Sequence, residues 1–106
     1  MISITDFQKV QLLVGRIVSV AEHPNANKLY VMQLDIGGET RQSVAGLKPY
    51  YTPEELTGKL VAVVANLEPV VLRGVESQAM ILAASEGAKV VFLTPEKDVG
   101  VGATIR

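Results

Sequence analysis

Residues 40–65 of this chain read TRQSVAGLKPYYTPEELTGKLVAVVA, and the middle of that stretch carries its sharpest local signal. Thr52 suits an N-cap, Pro53 suits the first helical position, and Glu55 stands three residues after the cap, where its carboxylate can reach back to the cap's N–H. Glu54 and Glu55 also offset the positive end of the helix dipole. Gly58 ends the helix after about one turn. Residues 40–45 before it read as a strand, and 60–65, all Leu, Val and Ala, read as a fully buried one.

Working outward, residues 30–36 alternate, with Tyr30, Met32, Leu34 and Ile36 on one face and Gln33 and Asp35 on the other. Gly37-Gly38 then reverses the chain. Parity favours a three-residue loop, 37–39, which pairs Asp35 with Arg41 and Met32 with Val44; a two-residue loop would set Arg41 beside Leu34. His23-Pro24-Asn25-Ala26-Asn27 is turn chemistry. Residues 10–21 are β-branched on both faces and predict one long strand, with Gly15 as a bulge or bend. Thr5-Asp6-Phe7-Gln8 fits a capping box and predicts a single helical turn, Phe7 and Val10 facing inward. Downstream, 79–84 reads as a fifth strand, 90–93 as a sixth, and 103–105 closes the chain. Residues 66–78, thirteen in all, are expected to form a loop without elements around Arg73-Gly74. A loop of that length in a compact domain is more often functional than filler.

The order is therefore all-β: three strands, a short helix, two strands and an addition at the end. That is the order of an OB-fold, a five-stranded barrel with a short helix between strands 3 and 4 and here an extra C-terminal strand. The ligand surface of such a barrel lies on strands 2 and 3, flanked by loops 1–2 and 4–5. An SH3-like barrel or a small α+β sandwich is the competing architecture. There is no repeat, linker or low-complexity tract, so residues 1–106 are expected to form a single domain. Its core is supplied by a composition that is 48% hydrophobic.

Several functions are excluded on composition. With no cysteine, the chain has no disulfide, thiolate metal site or cysteine nucleophile. The longest apolar runs are six residues, against the roughly 20 of a membrane span. No targeting segment is visible at residues 1–9, so a soluble, cytoplasmic protein is expected. His23, the one histidine, stands in a turn with no nucleophile or carboxylate at a recognisable spacing. No P-loop, dinucleotide fingerprint or metal-ligand cluster is present. No catalytic residue, cofactor or metal is therefore expected, and the chain is read as no enzyme by itself.

Ten basic residues stand against eleven acidic ones, a net charge of −1, so any nucleic-acid contact must use a local patch rather than an overall basic excess. Lys28 of loop 1–2, Arg41 of strand 3 and Arg73 of loop 4–5 converge on one predicted face, and the register above adds Ser43. The aromatic residues Phe7, Tyr30, Tyr50, Tyr51 and Phe92 are mostly placed for packing, so shape and backbone contacts fit better than base stacking.

Three segments carry a family resemblance. They are His23-Pro24-Asn25-Ala26-Asn27-Lys28-Leu29, Val44-Ala45-Gly46-Leu47, and Asn66-Leu67-Glu68-Pro69 running on to Leu72-Arg73-Gly74-Val75-Glu76-Ser77-Gln78-Ala79-Met80. From Asp6 to about Arg106 the chain resembles the tRNA-binding domain found at the C-terminus of methionyl-tRNA synthetases. That domain also occurs in free-standing tRNA-binding proteins and in the cytokine-like synthetase accessory factor. Tyr50 to Leu56 and Leu93-Thr94-Pro95 bring it closest to the synthetase appendage. The resemblance implies an OB-fold that dimerises and grips the outer corner of tRNA with little sequence preference. It implies tRNA as partner, a homodimer, and a methionyl-tRNA synthetase catalytic domain as a possible associate. Carried over residue by residue, it implies RNA-facing roles for Asn25, Lys28, Arg41, Ser43, Asn66, Arg73, Ser77 and Met80. Relatives often carry lysine where Glu68 and Val71 stand here, which implies a weaker grip on phosphate. The alternative is a dimeric chaperone of the same fold that binds unfolded polypeptide.

Overall fold

The structure, a computed structural model, describes residues 1–106. Its main sheet is built on β1 (Leu12–Glu22), which pairs antiparallel with both β2 (Tyr30–Asp35) and β4 (Leu60–Val64). β3 (Thr40–Ala45) continues beyond β2, β7 (Met80–Ile81) beyond β4, and β10 (Thr104–Ile105) adds to the start of β1. The strand order β3-β2-β1-β4-β7 curls into a nearly closed five-stranded barrel of OB type. The helix α2 (Pro53–Leu56) sits between β3 and β4 and begins with the capping box expected at Thr52 and Glu55. Its one buried residue, Leu56, is fully enclosed and plugs the barrel core. Tyr30, Met32, Leu34 and Ile36 all lie inside, as their alternation requires.

Several local expectations change. The short helix α1 (Ile4–Phe7) is capped by Ser3, whose Oγ accepts Asp6 N–H at 3.1 Å, and not by Thr5. Phe7 and Val10 are exposed rather than inward. No residue of the helix is buried, and Asn66 ties the chain just after it to the barrel through Lys9 and Gln11. Gly15 is not the bulge. Its Cβ, if it had one, would lie 3.0 Å from Val63 Cγ2 and 3.2 Å from Asp35 O, so glycine is there for a close approach. The extra residue in β1 is Val18, where the register with β2 shifts between Ile17 and Ser19. The strand expected fully buried at 60–65 buries Val61, Val63, Val64 and Ala65 and leaves Leu60 and Ala62 half-buried, and the fifth strand divides into β7 and β8 (Ala83–Glu86). β8 forms a hairpin with β9 (Lys89–Phe92), where Phe92 packs on Tyr51 at a ring separation of 5.1 Å.

The turn between β2 and β3 also differs. Leu34 pairs with Arg41 and Met32 with Ser43, so the loop is the two-residue Gly37-Gly38. Both glycines have positive φ, 96° and 90°, as a tight primed turn demands. The polar-to-polar pairing that argued for an odd loop gives way because Arg41, opposite Leu34, carries its charged head on to Glu39 and Ala65 O.

Candidate nucleic-acid interface

The register decides what β3 presents. Ser43 points into the barrel, fully buried, and its hydroxyl donates to Ala79 O at 2.8 Å. Ser77 Oγ accepts Val44 N–H at 3.0 Å. Gln42 and Gln78 complete the seam: Gln78 N–H donates to Gln42 O at 2.7 Å, and Gln42 N–H to Gln78 Oε1 at 3.1 Å. β3 and the chain entering β7 thus join through one main-chain bond and several side chains where no regular ladder forms. Of the residues assigned to RNA from sequence, Ser43 and Ser77 are barrel fasteners. Their hydroxyls are spent inside the protein.

Residues 66–78 are not an element-free loop. β5 (Val70–Leu72) and β6 (Val75–Ser77) pair as a hairpin about Arg73-Gly74. Loop 1–2 is fastened to that hairpin. His23 is buried; its Nε2 donates to Leu72 O at 2.9 Å, while Nδ1 accepts Asn25 N–H at 2.9 Å. The Nε2–H tautomer satisfies both bonds. Asn25 Nδ2 adds a donation to Arg73 O at 3.3 Å. The two loops that flank an OB ligand face are therefore fastened to each other through His23 and Asn25.

At the tip stands Arg73, exposed, with φ of 53°, the chain's one non-glycine residue with positive φ. A long cationic side chain in the left-handed region costs backbone energy, and such strain gathers at functional positions. Arg73 and Lys28 form no ion pair, whereas Lys48 nearby bridges Glu22. The hydrogen bond from Lys48, with its charge, holds the Glu22 carboxyl below its usual 4.5.

Arg41 belongs elsewhere. It lies four residues from Ala45 along β3, about 13 Å at the rise of a strand, near the opposite end. There it grips Glu39 through Nε at 3.1 Å and Nη2 at 3.0 Å, and donates Nη1 to Ala65 O at 2.9 Å. Asn66 is similarly committed: Oδ1 accepts Gln11 N–H at 2.7 Å and Nδ2 donates to Lys9 O at 2.7 Å, which ties the N-terminal segment down. Both line an open cleft of about 580 Å³ that also holds Glu39 and Glu68, an acidic setting for phosphate. Met80 is half-exposed on a separate apolar cavity beneath the hairpin. The structure thus brings Asn25, Lys28 and Arg73 to one end of the barrel and sets Arg41 and Asn66 apart from them.

This geometry has counterparts. A family profile described as "Putative tRNA binding domain" matches residues 12–104. The chain belongs to the tRNA-binding domain family. A methionine–tRNA ligase of Pyrococcus furiosus is 57% identical over 105 residues, which cover 99% of this chain. The chain spans only 14% of that relative's length. Among solved structures, a MetRS-related protein of Pyrococcus horikoshii superposes at a TM-score of 0.93 with 34% identity, over 100% of this chain and 98% of that one. The chaperone CsaA of Picrophilus torridus superposes at 0.92 with 29% identity, over 100% of both. This tRNA-binding domain is homologous to the C-terminal domain of methionyl-tRNA synthetase. No helix is long and apolar enough to cross a membrane.

Two features of the family domain escaped the sequence reading. One is the β5–β6 hairpin, although Val70-Val71-Leu72 and Val75 flanking a two-residue Arg73-Gly74 turn are a hairpin signal. The other is His23 as the link between loops. No local pattern announces a partner 49 residues away.

Proposed function

We propose that this chain is a non-catalytic tRNA-binding module of a methionyl-tRNA synthetase, which grips tRNA by shape and backbone and raises its affinity for the enzyme. The observation that carries this reading is the fastening of loop 1–2 to the β5–β6 hairpin, which holds Arg73, unpaired, at the tip. An arginine so placed can offer two charge-assisted bonds to one phosphate. Lys28 supplies a second free cation, and Tyr30, Tyr51 and Phe92 are engaged in packing, which favours backbone contacts over stacking. Filter retention of unfractionated tRNA at several salt concentrations tests it. With two phosphates neutralised per chain, log K should fall against log salt with a slope of about −2. A slope near zero, or equal retention of polyU and folded tRNA, overturns the reading.

The module is further proposed to act as a homodimer. Ile2, Ile4, Phe7 and Val10 at one end of the chain, and Val91, Leu93 and Val99 near the other, leave apolar side chains in water, the usual mark of an interface. Two weak sites held together gain affinity through effective concentration. Light scattering at micromolar concentration checks this, and a monomer mass removes it. A second reading, a chaperone for unfolded polypeptide, is favoured by the same apolar surface and by the whole-chain likeness to CsaA. It predicts that the chain suppresses aggregation of a denatured protein and retains no tRNA.

A further inference from the structure

We propose that the apolar cavity beneath the β5–β6 hairpin seats one unpaired nucleobase of the bound RNA, an inference that rests on the tRNA-binding reading above. The cavity is about 260 Å³ and is walled by Leu67, Val70, Leu72 and Met80. That is slightly below the ~300–1,000 Å³ of pockets for drug-sized ligands. It has room for one planar ring system and not for an extended peptide. Leu67, Val70 and Met80 are 47%, 52% and 45% exposed, so these walls stand open to solvent.

The chemistry of the lining selects a base over a sugar or phosphate. Ser43 and Ser77 border the cavity, but their hydroxyls are already used in the barrel seam. Gln78 also lines it. Its Oε1 is occupied by Gln42 N–H, which leaves the –NH₂ as a free donor for a ring nitrogen or carbonyl. The Met80 thioether is a favourable neighbour for an aromatic ring. Charge sets the side on which the backbone passes. Leu72 forms a wall and the cation of Arg73 follows it directly, whereas Glu68 occupies the border with the acidic cleft. Flanking phosphates are therefore drawn to the hairpin side and repelled from the other. One base held in this way adds a stacking-like contact to a grip that otherwise reads backbone.

Methionine supplies the test. The chain has three, Met1, Met32 and Met80, and Met32 is fully buried and serves as the control. Methyl-¹³C-methionine spectra of the whole chain are recorded with unfractionated tRNA and, separately, with an unstructured hydrophobic peptide. A nucleobase in the cavity should move the Met80 methyl upfield by its ring current and leave Met32 in place. Met80→Ala should weaken tRNA binding on the order of fivefold with the salt slope unchanged, the Met32 signal certifying the fold. If tRNA is retained but the Met80 methyl does not move, the cavity is no base site, while the tRNA-binding reading survives. If tRNA is not retained at all, that reading fails and takes this one with it. A Met80 shift with the peptide and none with tRNA assigns the cavity to polypeptide and overturns the proposal.

Discussion

Two turns of this protein use the same backbone device for opposite ends. Gly37-Gly38 and Arg73-Gly74 each close a two-residue hairpin with both φ angles positive. At Gly37 an added Cβ would lie 2.9 Å from Gly102 Cα, so the turn is pressed against the tail of the chain. At Gly74 the nearest atom to such a Cβ is Asn25 Nδ2 at 3.9 Å, and the turn projects into solvent. The first uses glycine twice and is packed; the second accepts strain at Arg73 and keeps a cation free. The same two-residue device is therefore packed in one place and open to solvent in the other, and only the neighbours tell them apart.

The sharpest way to break that contrast is Gly37→Ala. It combines a disfavoured φ with a backbone clash, and should destabilise the fold by about 2–4 kcal/mol. In a domain of this size that lowers Tm by roughly 10–20 °C, read by circular dichroism. The fraction that remains folded should bind tRNA as the parent does. If Gly37→Ala melts normally, the close approach to Gly102 is wrong.

Arg73→Asn should do the reverse. Asn-Gly is the preferred pair for a primed turn, so stability should rise by about 0.5–1 kcal/mol as strain is relieved. tRNA affinity should fall by about 1–2 kcal/mol, and the salt slope should flatten by about one. Unchanged retention would show that the tip does not touch RNA.

Arg41→Gln sharpens the same comparison from the other end of β3. Its cation is already neutralised by Glu39, so its loss should change tRNA affinity by less than about twofold. A loss as large as that of Arg73→Asn would put the acidic cleft back into the interface.

The smallest effect belongs to Lys48 and Glu22, both at the loop 1–2 end of the barrel. A carboxyl whose pKa is lowered on folding contributes stability above its unfolded value and loses it as pH falls through the folded one. For Glu22 that window begins near 4.5 and extends below it. The pair is exposed, so salt should screen it. Titration of the Glu22 carboxyl carbon by NMR should show its pKa rising toward 4.5 in Lys48→Ala. An unchanged titration would mean that the bridge does not persist in solution.

Much of the barrel could be read along the chain. The capping box at Thr52 to Glu55 and the alternation from Tyr30 to Ile36 are contained in windows of a few residues, and the structure keeps both. The site was less legible. Asn25, Lys28 and Arg73 do come to one end, but Ser43, Asn66 and Ser77 are polar residues with partners 33 to 57 residues away, and Arg41 is taken up by Glu39 and by Ala65 O, 24 residues on. A polar side chain looks the same in sequence whether it is free for a ligand or already satisfied.

What the sequence determined by itself was the order of the elements from β1 to β4, the inward face of β2 and the presence of turns, because capping, periodicity and glycine chemistry act within a few residues. What only the tertiary structure decided was register and commitment. The length of one turn, two residues instead of three, rotated Ser43 from the groove to the core, since side chains alternate along a strand. The docking of His23 on Leu72 joined two distant loops and, with Asn25, fixed where Arg73 stands. Those outcomes depend on which groups meet in space, and the free cations at this end of the barrel are the ones that the fold left without a partner.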